Sequence, residues 1–344
     1  MSDDEAYTLD PVYELEEAAW KAAALRAAIE LDVLSALEGG ATLAAACTAT
    51  GCDGRGLSVL LRLLRDIGLV RKDGEVFSLE PVAATYLVRG RPAYYGEWAL
   101  AATLAWDALG RIAESVRTGR AVGGDLATGG DQTGDTWRAH TRPVLAEWPE
   151  RARDARDLWR QAGIAPDEAT PFDVLDPACG PGVTSFTLAQ DHPTVHVTGF
   201  DFAPVLETTR AIARAMGVED RATLIVGDVK SAEFARGRYD LVLFGRILYY
   251  LDDDQAAGVL ARAHAALRPH GSVVVHEARV DEGSGATSGG SLTALMLLAF
   301  APGSHVRTFA EYYDLLDATG FTGIAEMSDS VIRATVSCPH RLAA

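Results

Sequence analysis

Residues 174–182 spell VLDPACGPG, an apolar run that ends in a turn with two glycines and leads into a helical pattern. This order predicts a buried strand, a tight turn and a helix. Because glycine has no Cβ, the backbone of Gly180 and Gly182 can approach a bound ligand closely. The turn alone is a weak indicator of any ligand. It is not GxGxxG, and the following helix opens with Val183, so a nicotinamide cofactor finds little support.

Two carboxylates strengthen this prediction, because each follows a later strand. Asp201 stands in GFDF (199–202), about twenty residues beyond the glycines, where a carboxylate can accept hydrogen bonds from ribose hydroxyls. Asp228 stands in IVGDV (225–229), where it can accept from an adenine amino group. The alternative is that both acids only cap helices or lie in solvated loops. Three such features at successive strand ends favour a cofactor that contains adenosine.

Around this stretch, strands and helices alternate, which predicts an α/β fold with a Rossmann-like, doubly wound parallel sheet. The predicted strands are 172–176, 195–200, 223–226, 241–244 and 272–276, with helices at 183–190, 204–216 and 253–267 between them. A Gly/Ser-rich loop (281–291), a helix (309–319) and two strand-like runs (323–327 and 331–336) complete the chain. The late pair of strands fits an antiparallel edge. In such sheets, ligands bind outside the carboxyl ends of the strands.

The N-terminal part has a different texture, rich in alanine and leucine. It predicts helices at 14–37, 42–50 and 56–67, the last capped by Asp53, and then two short strands at 69–71 and 76–79. Three helices followed by a hairpin is the order of a winged helix. Residues 1–105 are therefore predicted as a helical winged-helix domain, 106–170 as a helical linker and pocket wall, and 171–344 as the cofactor-binding domain.

A winged helix serves either dimerisation or DNA binding. The candidate recognition helix carries only Arg55, Arg62 and Arg65, and the chain of 344 residues has a net charge of −17. This acidity argues against nucleic acid and anionic membranes as partners, so dimerisation is favoured. No apolar run reaches the ~20 residues of a membrane span, and the acidic N-terminus is unlike a signal peptide.

The four cysteines, at positions 47, 52, 179 and 338, form neither a CxxC pair nor a zinc-site spacing with histidines. We therefore expect reduced thiols, a cytoplasmic protein and no structural metal.

Five segments together resemble the motifs of the small-molecule S-adenosylmethionine-dependent O-methyltransferases, the caffeate O-methyltransferase-like family with its bacterial natural-product members. They are VLDPACGPG, GFDFAPV, IVGDV, FGRILYYLDDDQ and LRPHGSVVVHE. The resemblance covers nearly the whole chain. It implies S-adenosyl-L-methionine as cofactor, a class I methyltransferase fold, a homodimer formed through the N-terminal domain, and a small aromatic or polyketide-like substrate.

The resemblance also implies which positions contact the cofactor. Gly180 and Gly182 face its methionine portion, Asp201 its ribose, and Asp228 with Val229 its adenine. Phe202, Gly245 and Arg246 complete the predicted set. Two departures stand out, since the family's glycine motif is closer to DxGGGxG, and a cofactor-contacting lysine expected at position 245 is Gly245, with Arg246 beside it.

The family's catalytic base is absent from its usual place. Most members carry His-Asp-Trp after the fourth strand, with the histidine as general base, because a phenol loses its proton as its oxygen attacks the sulfonium methyl group. The matching positions here are Tyr249, Tyr250 and Leu251. Unperturbed tyrosine has a pKa of about 10, which suits a hydrogen-bond donor or an acid better than a base.

Two further positions complete the predicted catalytic set of Tyr249, His305 and Glu277. Glu277 matches the glutamate that follows the family's fifth strand. The family's later glutamate falls on Val306, which leaves His305 beside it as a replacement for the base. The bacteriochlorophyll C-methyltransferase branch is similar in using a tyrosine and a histidine. No metal is predicted, because two tyrosines occupy the positions where some relatives place a His-Asp ligand pair.

The predicted acceptor pocket includes Trp106, Tyr250, Met296 and Phe300, although each also suits an ordinary core. O-methylation is slightly preferred because it prevails in the family. C-methylation is close behind, because an electron-rich carbon attacks first and loses its proton afterwards. Two alternatives are a methyltransferase-fold enzyme that uses the cofactor for hydroxylation or pericyclic chemistry, and a winged-helix DNA-binding regulator.

Overall fold

The computed structural model describes residues 8–104, 106–123, 134–280 and 289–337. Cys338 and residues 281–288 of the loop predicted at 281–291 lie outside these residues. The chain divides into two compact units, Met1–Leu104 and Ala105–Ala344, so the predicted linker at 106–170 belongs to the second unit. Within the described ranges, no helix combines the length and apolar character of a membrane-spanning segment.

The first unit has the predicted winged-helix order. Its elements are α1 (Asp10–Glu30), α2 (Val33–Ala36), β1 (Ala41–Thr42), α3 (Leu43–Thr50), α4 (Gly54–Asp66), β2 (Val70–Asp73), β3 (Val76–Leu79), α5 (Pro81–Tyr86) and α6 (Gly96–Leu104). The strands form an antiparallel sheet in the order β1-β3-β2. Asp53 caps α4 as predicted, since its carboxylate accepts from the backbone N–H groups of Arg55 and Gly56, both at 3.0 Å.

The prediction of one helix over 14–37 was wrong. The chain breaks between α1 and α2 at Asp32, whose φ of 53° lies in the left-handed region. Aspartate tolerates this conformation better than most residues, and its carboxylate accepts a hydrogen bond from the Ser35 hydroxyl at 2.6 Å.

The second unit opens with four helices, continues as alternating strands and helices, and ends in a strand pair. Its elements are α7 (Trp106–Gly110), α8 (Ile112–Thr118), α9 (Asp135–Thr141), α10 (Val144–Gln161), β4 (Phe172–Pro177), α11 (Val183–Asp191), β5 (Val195–Asp201), α12 (Ala203–Ala215), β6 (Ala222–Val226), β7 (Tyr239–Gly245), α13 (Asp253–Ala266), β8 (Leu267–His276), α14 (Gly290–Phe300), α15 (Phe309–Ala318), β9 (Phe321–Ser328) and β10 (Val331–Val336).

The strands of this unit form one seven-stranded sheet in the order β6-β5-β4-β7-β8-β10-β9. The first five of these strands pair in parallel, and β10 and β9 add the predicted antiparallel edge. The chain leaves β4 in one direction to build β5 and β6, and returns on its other side with β7. This reversal creates a crevice beyond the carboxyl ends of β4 and β7, where doubly wound sheets bind ligands.

Neighbouring residues of each strand face opposite sides of the sheet, which explains the uninterrupted apolar runs in the sequence. Val174 packs with α10, α11 and α12, whereas Leu175 packs with α13 and α15. In β7, Leu243 belongs to the same cluster as Val174, and Phe244 to the same cluster as Leu175. Because both faces are covered, the strand ends and the loops after them remain for function.

Candidate active site

The turn after β4 adopts the tight geometry that its glycines allow. Ala178, Gly180 and Gly182 all have positive φ, at 76°, 52° and 76°. The backbone N–H groups of Ala178 and Cys179 both donate to the Phe200 carbonyl at 2.9 Å. A Cβ on Gly182 would lie 2.5 Å from the Phe186 ring, so no larger residue fits there. The departure from the family's glycine pattern therefore leaves the turn intact, with an alanine in a left-handed conformation.

Asp201 lies at the end of β5, directly beside this turn. Its Oδ2 accepts from the Gly180 N–H and its Oδ1 from the Phe202 N–H, both at 2.8 Å. Each carboxylate oxygen can accept a second hydrogen bond, so both retain capacity for hydroxyl groups of a ligand. The predicted neighbours Gly180, Asp201 and Phe202 are thus brought together.

Acidic groups converge around the turn. Burial raises the pKa of Asp176 to about 7 and that of Asp201 to about 6, and each pKa is raised further by a neighbouring carboxylate, Asp201 and Asp228 respectively. S-adenosylmethionine carries a sulfonium, an ammonium and one carboxylate, and therefore a net positive charge. A cation with hydroxyl donors relieves this repulsion, so the residues present fit that cofactor.

The remaining predicted cofactor residues lie at the ends of β6 and β7. The Oδ1 of Asp228 accepts from the Lys230 N–H at 2.9 Å, while the Val229 side chain is buried in the core. A Cβ on Gly245 would meet nothing within 4 Å, so the site is open where the family's lysine is expected. Arg246 has φ of 60° and donates its N–H to the His276 carbonyl at 2.9 Å.

The tyrosine segment, residues 247–253, follows the carboxyl end of β7, which borders the same crevice. Its single 3-10 turn, Leu248–Tyr250, carries both tyrosines, whose ring centroids are 4.7 Å apart. Burial raises the pKa of Tyr249 well above its usual range and that of Tyr250 to about 12. Both hydroxyls are therefore protonated at neutral pH. They can donate hydrogen bonds but cannot serve as bases.

Glu277 lies fully buried just beyond β8, beneath the tyrosine segment. Its Oε1 accepts from the N–H groups of Ile247 and Leu248, both at 2.8 Å. Burial raises its pKa to about 8, although these hydrogen bonds and the nearby arginines lower it. Within the described part of the chain, its Oε2 has no hydrogen-bond partner. Glu277 thus contacts the backbone that carries the tyrosines.

The predicted base His305 is placed differently from the expectation. Its backbone N–H donates to the Tyr249 carbonyl at 3.0 Å, but its ring lies between two carboxylates. Nδ1 is 3.4 Å from Asp253 and Nε2 is 3.4 Å from Glu311, and the side chain is 41% exposed. These acids belong to the first turns of α13 and α15, so the ring joins two helix starts.

Sequence reasoning missed the short helix α9, which contacts both halves of the site. A Cβ on Gly134, its N-cap, would lie 2.4 Å from Phe202, and one on Gly180 would lie 4.0 Å from Thr141. The Trp137 ring stands edge-on to Tyr250, with centroids 5.1 Å apart. Its seven residues carry too short an apolar pattern to indicate this position.

His140 shares the face of α9 with Trp137, and their ring centroids are 6.0 Å apart. The surrounding protein displaces water from the ring and Arg151 adds positive charge, which together lower the pKa of His140 to about 4. His140 is nevertheless an exposed residue. The imidazole is therefore neutral at pH 7, although so low a pKa makes it a weak base.

The residues predicted to line the acceptor pocket do not lie in one cluster. Tyr249 and Tyr250 pack with Leu297 and Ala301, at the end of α14. Phe300 is instead buried in another cluster, with Ala108 and Ala299. Trp106 and Met296 are exposed, at 36% and 44%. No three His, Cys, Asp or Glu side chains among the described residues converge as metal ligands.

Comparison with known proteins agrees with this geometry. Residues 170–322 match the O-methyltransferase domain family and residues 13–89 the O-methyltransferase dimerisation domain. The mitomycin biosynthesis 6-O-methyltransferase of Streptomyces lavendulae is 29% identical over 317 residues, 90% of this chain and 88% of that protein. The tetracenomycin polyketide synthesis 8-O-methyltransferase of Streptomyces glaucescens is 26% identical over 318 residues, 91% of each chain.

A solved structure shares the fold over nearly the whole chain. The mitomycin 7-O-methyltransferase structure has a TM-score of 0.73 at 25% identity, covering 95% of this chain and 96% of that one. Together with the glycine turn, the acidic strand ends and the two matching domain models, these similarities show that the chain belongs to the small-molecule O-methyltransferase family and is an S-adenosylmethionine-dependent methyltransferase.

Proposed function

We propose that this enzyme methylates a hydroxyl group on a small aromatic or polyketide-like natural product, as a homodimer formed through its N-terminal unit. The observation that carries the proposal is the placement of two subsites at neighbouring strand ends. The acidic glycine turn follows β4, and the apolar aromatic wall of Tyr249 and Tyr250 follows β7. Trp137 of α9 completes that wall. An aromatic acceptor suits such a surface.

When bound, S-adenosylmethionine supplies an electrophilic methyl group. Asp201 would hold the ribose hydroxyls, and Asp228 the adenine amino group. The tyrosine hydroxyls stay protonated and donate hydrogen bonds to the acceptor, which fixes its orientation. We assign the proton acceptor to His140 rather than His305, because the His140 ring lies beside the aromatic wall, whereas the His305 ring lies between the starts of α13 and α15.

C-methylation is the second candidate, favoured by the replacement of the family's histidine with Tyr249. Carbon acceptors need less help from a base at the moment of attack. One experiment separates the possibilities. The enzyme is incubated with methyl-¹³C-labelled S-adenosylmethionine and a panel of hydroxylated aromatic compounds, and products are analysed by mass spectrometry and NMR.

We expect a labelled methyl group bonded to oxygen and one S-adenosylhomocysteine per product. A label bonded to carbon would establish the second candidate instead. Full conversion of an acceptor with intact cofactor would overturn methyl transfer and favour hydroxylation or pericyclic chemistry. Asp201→Asn serves as the matched control, because it keeps the side-chain volume but loses the charge that we assign to ribose binding.

A further inference from the structure

Arg307 is among the most deeply buried charged residues of the second unit, at 1% exposure. In its guanidinium, Nη1 donates hydrogen bonds to the Leu248 carbonyl at 3.0 Å and to the His305 carbonyl at 3.2 Å. Nη2 donates to the Leu251 carbonyl at 3.1 Å and to Asp253 Oδ1 at 2.6 Å. Nε reaches the same carboxylate at 3.2 Å. Three of these acceptors belong to the tyrosine segment.

The tyrosine segment has little structure of its own to stabilise it. A single 3-10 turn has poor hydrogen-bond geometry and too few residues to persist alone. Glu277 accepts the two N–H groups that precede the tyrosines, and Arg307 donates to carbonyls on either side of Tyr249 and Tyr250. A buried carboxyl that accepts and a buried guanidinium that donates thus hold the backbone from its two polar sides.

Burying a guanidinium costs several kcal/mol unless its hydrogen bonds compensate, and an apolar residue often stabilises a core as well or better. For stability alone, an arginine at position 307 therefore offers little advantage over an apolar residue. Its five donors in a rigid fork provide geometry, because a planar guanidinium fixes several carbonyls relative to one another. Here, Arg307 fixes the carbonyls of Leu248 and Leu251, which flank Tyr249 and Tyr250.

We propose that Arg307 is a positioning residue, which holds Tyr249 and Tyr250 in the orientation that the acceptor meets. This inference rests on the proposed function for the role of the two tyrosines, but its structural part stands independently. Nothing in it requires Arg307 to touch either the cofactor or the acceptor.

The test uses Arg279 as a matched control, since it is equally buried. Arg279 donates to the carbonyls of Ser328 and Asp329, at the turn between β9 and β10, and to Glu326. The full-length protein is labelled with 3-fluorotyrosine, and the ¹⁹F resonances of Tyr249 and Tyr250 are assigned with the Tyr249→Phe and Tyr250→Phe variants. Arg307→Gln and Arg279→Gln are then compared, with thermal unfolding and calorimetric affinity for S-adenosylhomocysteine measured on each.

We expect Arg307→Gln to shift or broaden both tyrosine resonances while the affinity for S-adenosylhomocysteine changes by less than about threefold. Arg279→Gln should lower Tm comparably and leave both resonances in place. If Arg307→Gln does not fold, Arg307→Lys takes its place in the test. Lysine keeps the positive charge but loses the planar guanidinium fork, so it should displace the same two resonances.

Unchanged resonances in the Arg307 variants, or equal changes in the Arg279 variant, would overturn the proposal. Because the resonances are read without turnover, this result is independent of whether methyl transfer itself is observed. Once an acceptor substrate has been identified, Arg307→Gln should lower kcat about tenfold, while KM for the cofactor stays within about threefold of the wild-type value.

Discussion

Ala178 occupies a backbone conformation that glycine normally takes. Its φ of 76° is left-handed, and its N–H nevertheless donates to the Phe200 carbonyl at 2.9 Å. A non-glycine residue held in this region costs of the order of 1–3 kcal/mol. The turn therefore stores strain immediately beside the cofactor residues, and the hydrogen bonds around it maintain the shape.

Replacing Ala178 with glycine should relieve that strain. We expect Ala178→Gly to raise the free energy of unfolding by about 1 kcal/mol, because the relieved strain exceeds the extra backbone entropy of glycine in the unfolded chain. Urea unfolding monitored by circular dichroism measures the change. The control is Ala213→Gly in helix α12, which should destabilise the protein. A loss of stability in both variants would contradict the argument.

Single residues also show what the sequence can and cannot indicate. The positions of Gly180 and Asp201 at strand ends, and of Tyr249 shortly after one, follow from motif spacing, and the structure places each of them there. The direction of the His305 ring does not follow, because Asp253 and Glu311 that surround it come from the starts of two other helices. Ring direction is decided by neighbours that are distant in the sequence.

At the scale of elements, α9 determines how the two subsites are joined. It contacts the end of β5 through Gly134 and Phe202, the glycine turn through Thr141, and the tyrosine segment through Trp137. No strong periodicity marks so short a helix, so the sequence predicted only a helical region here. The central strands β4, β5 and β7 were predicted to within two residues, because burial on both faces makes their runs largely apolar.

The histidine on α9 supplies the prediction that belongs to this scale. We expect His140→Gln to lower kcat about 100-fold, the usual contribution of a general base, while affinity for S-adenosylhomocysteine changes little. Steady-state kinetics and calorimetry measure the two effects. His264→Gln is the control, since that ring lies on α13 against the Gly320 carbonyl. Full activity in His140→Gln would exclude His140 as the proton acceptor.

Across the whole molecule, several buried carboxyl groups resist ionisation. The pKa of Asp176 is raised to about 7 and that of Glu277 to about 8, chiefly by burial. The folded protein therefore holds more protons than the unfolded chain until the pH passes these values. Stability contributed by the protonated carboxyls is lost as pH rises through the folded pKa. His140 and His276, with pKa values lowered to about 4, act oppositely, but only below about pH 6.5.

We therefore expect the free energy of unfolding to fall between pH 6.5 and pH 8.5, by of the order of 1–2 kcal/mol. Chemical unfolding at a series of pH values tests this. Glu277→Gln removes one titrating carboxyl while keeping an acceptor for the Ile247 and Leu248 N–H groups, so its curve should be flatter. A wild-type curve that is level or rising over this interval would contradict the burial argument.

The glycine turn is held by the protein's own hydrogen bonds, and this affects how fast a ligand can bind. Asp201 is already bonded to the Gly180 and Phe202 amides, so the turn takes its shape during folding, and little ordering entropy is left to lose at association. The rate of capture then depends mainly on encounter. Asp201 and Asp228, in a chain with a net charge of −17, attract a cation toward the crevice, so binding should be rapid and should slow as salt screens their field.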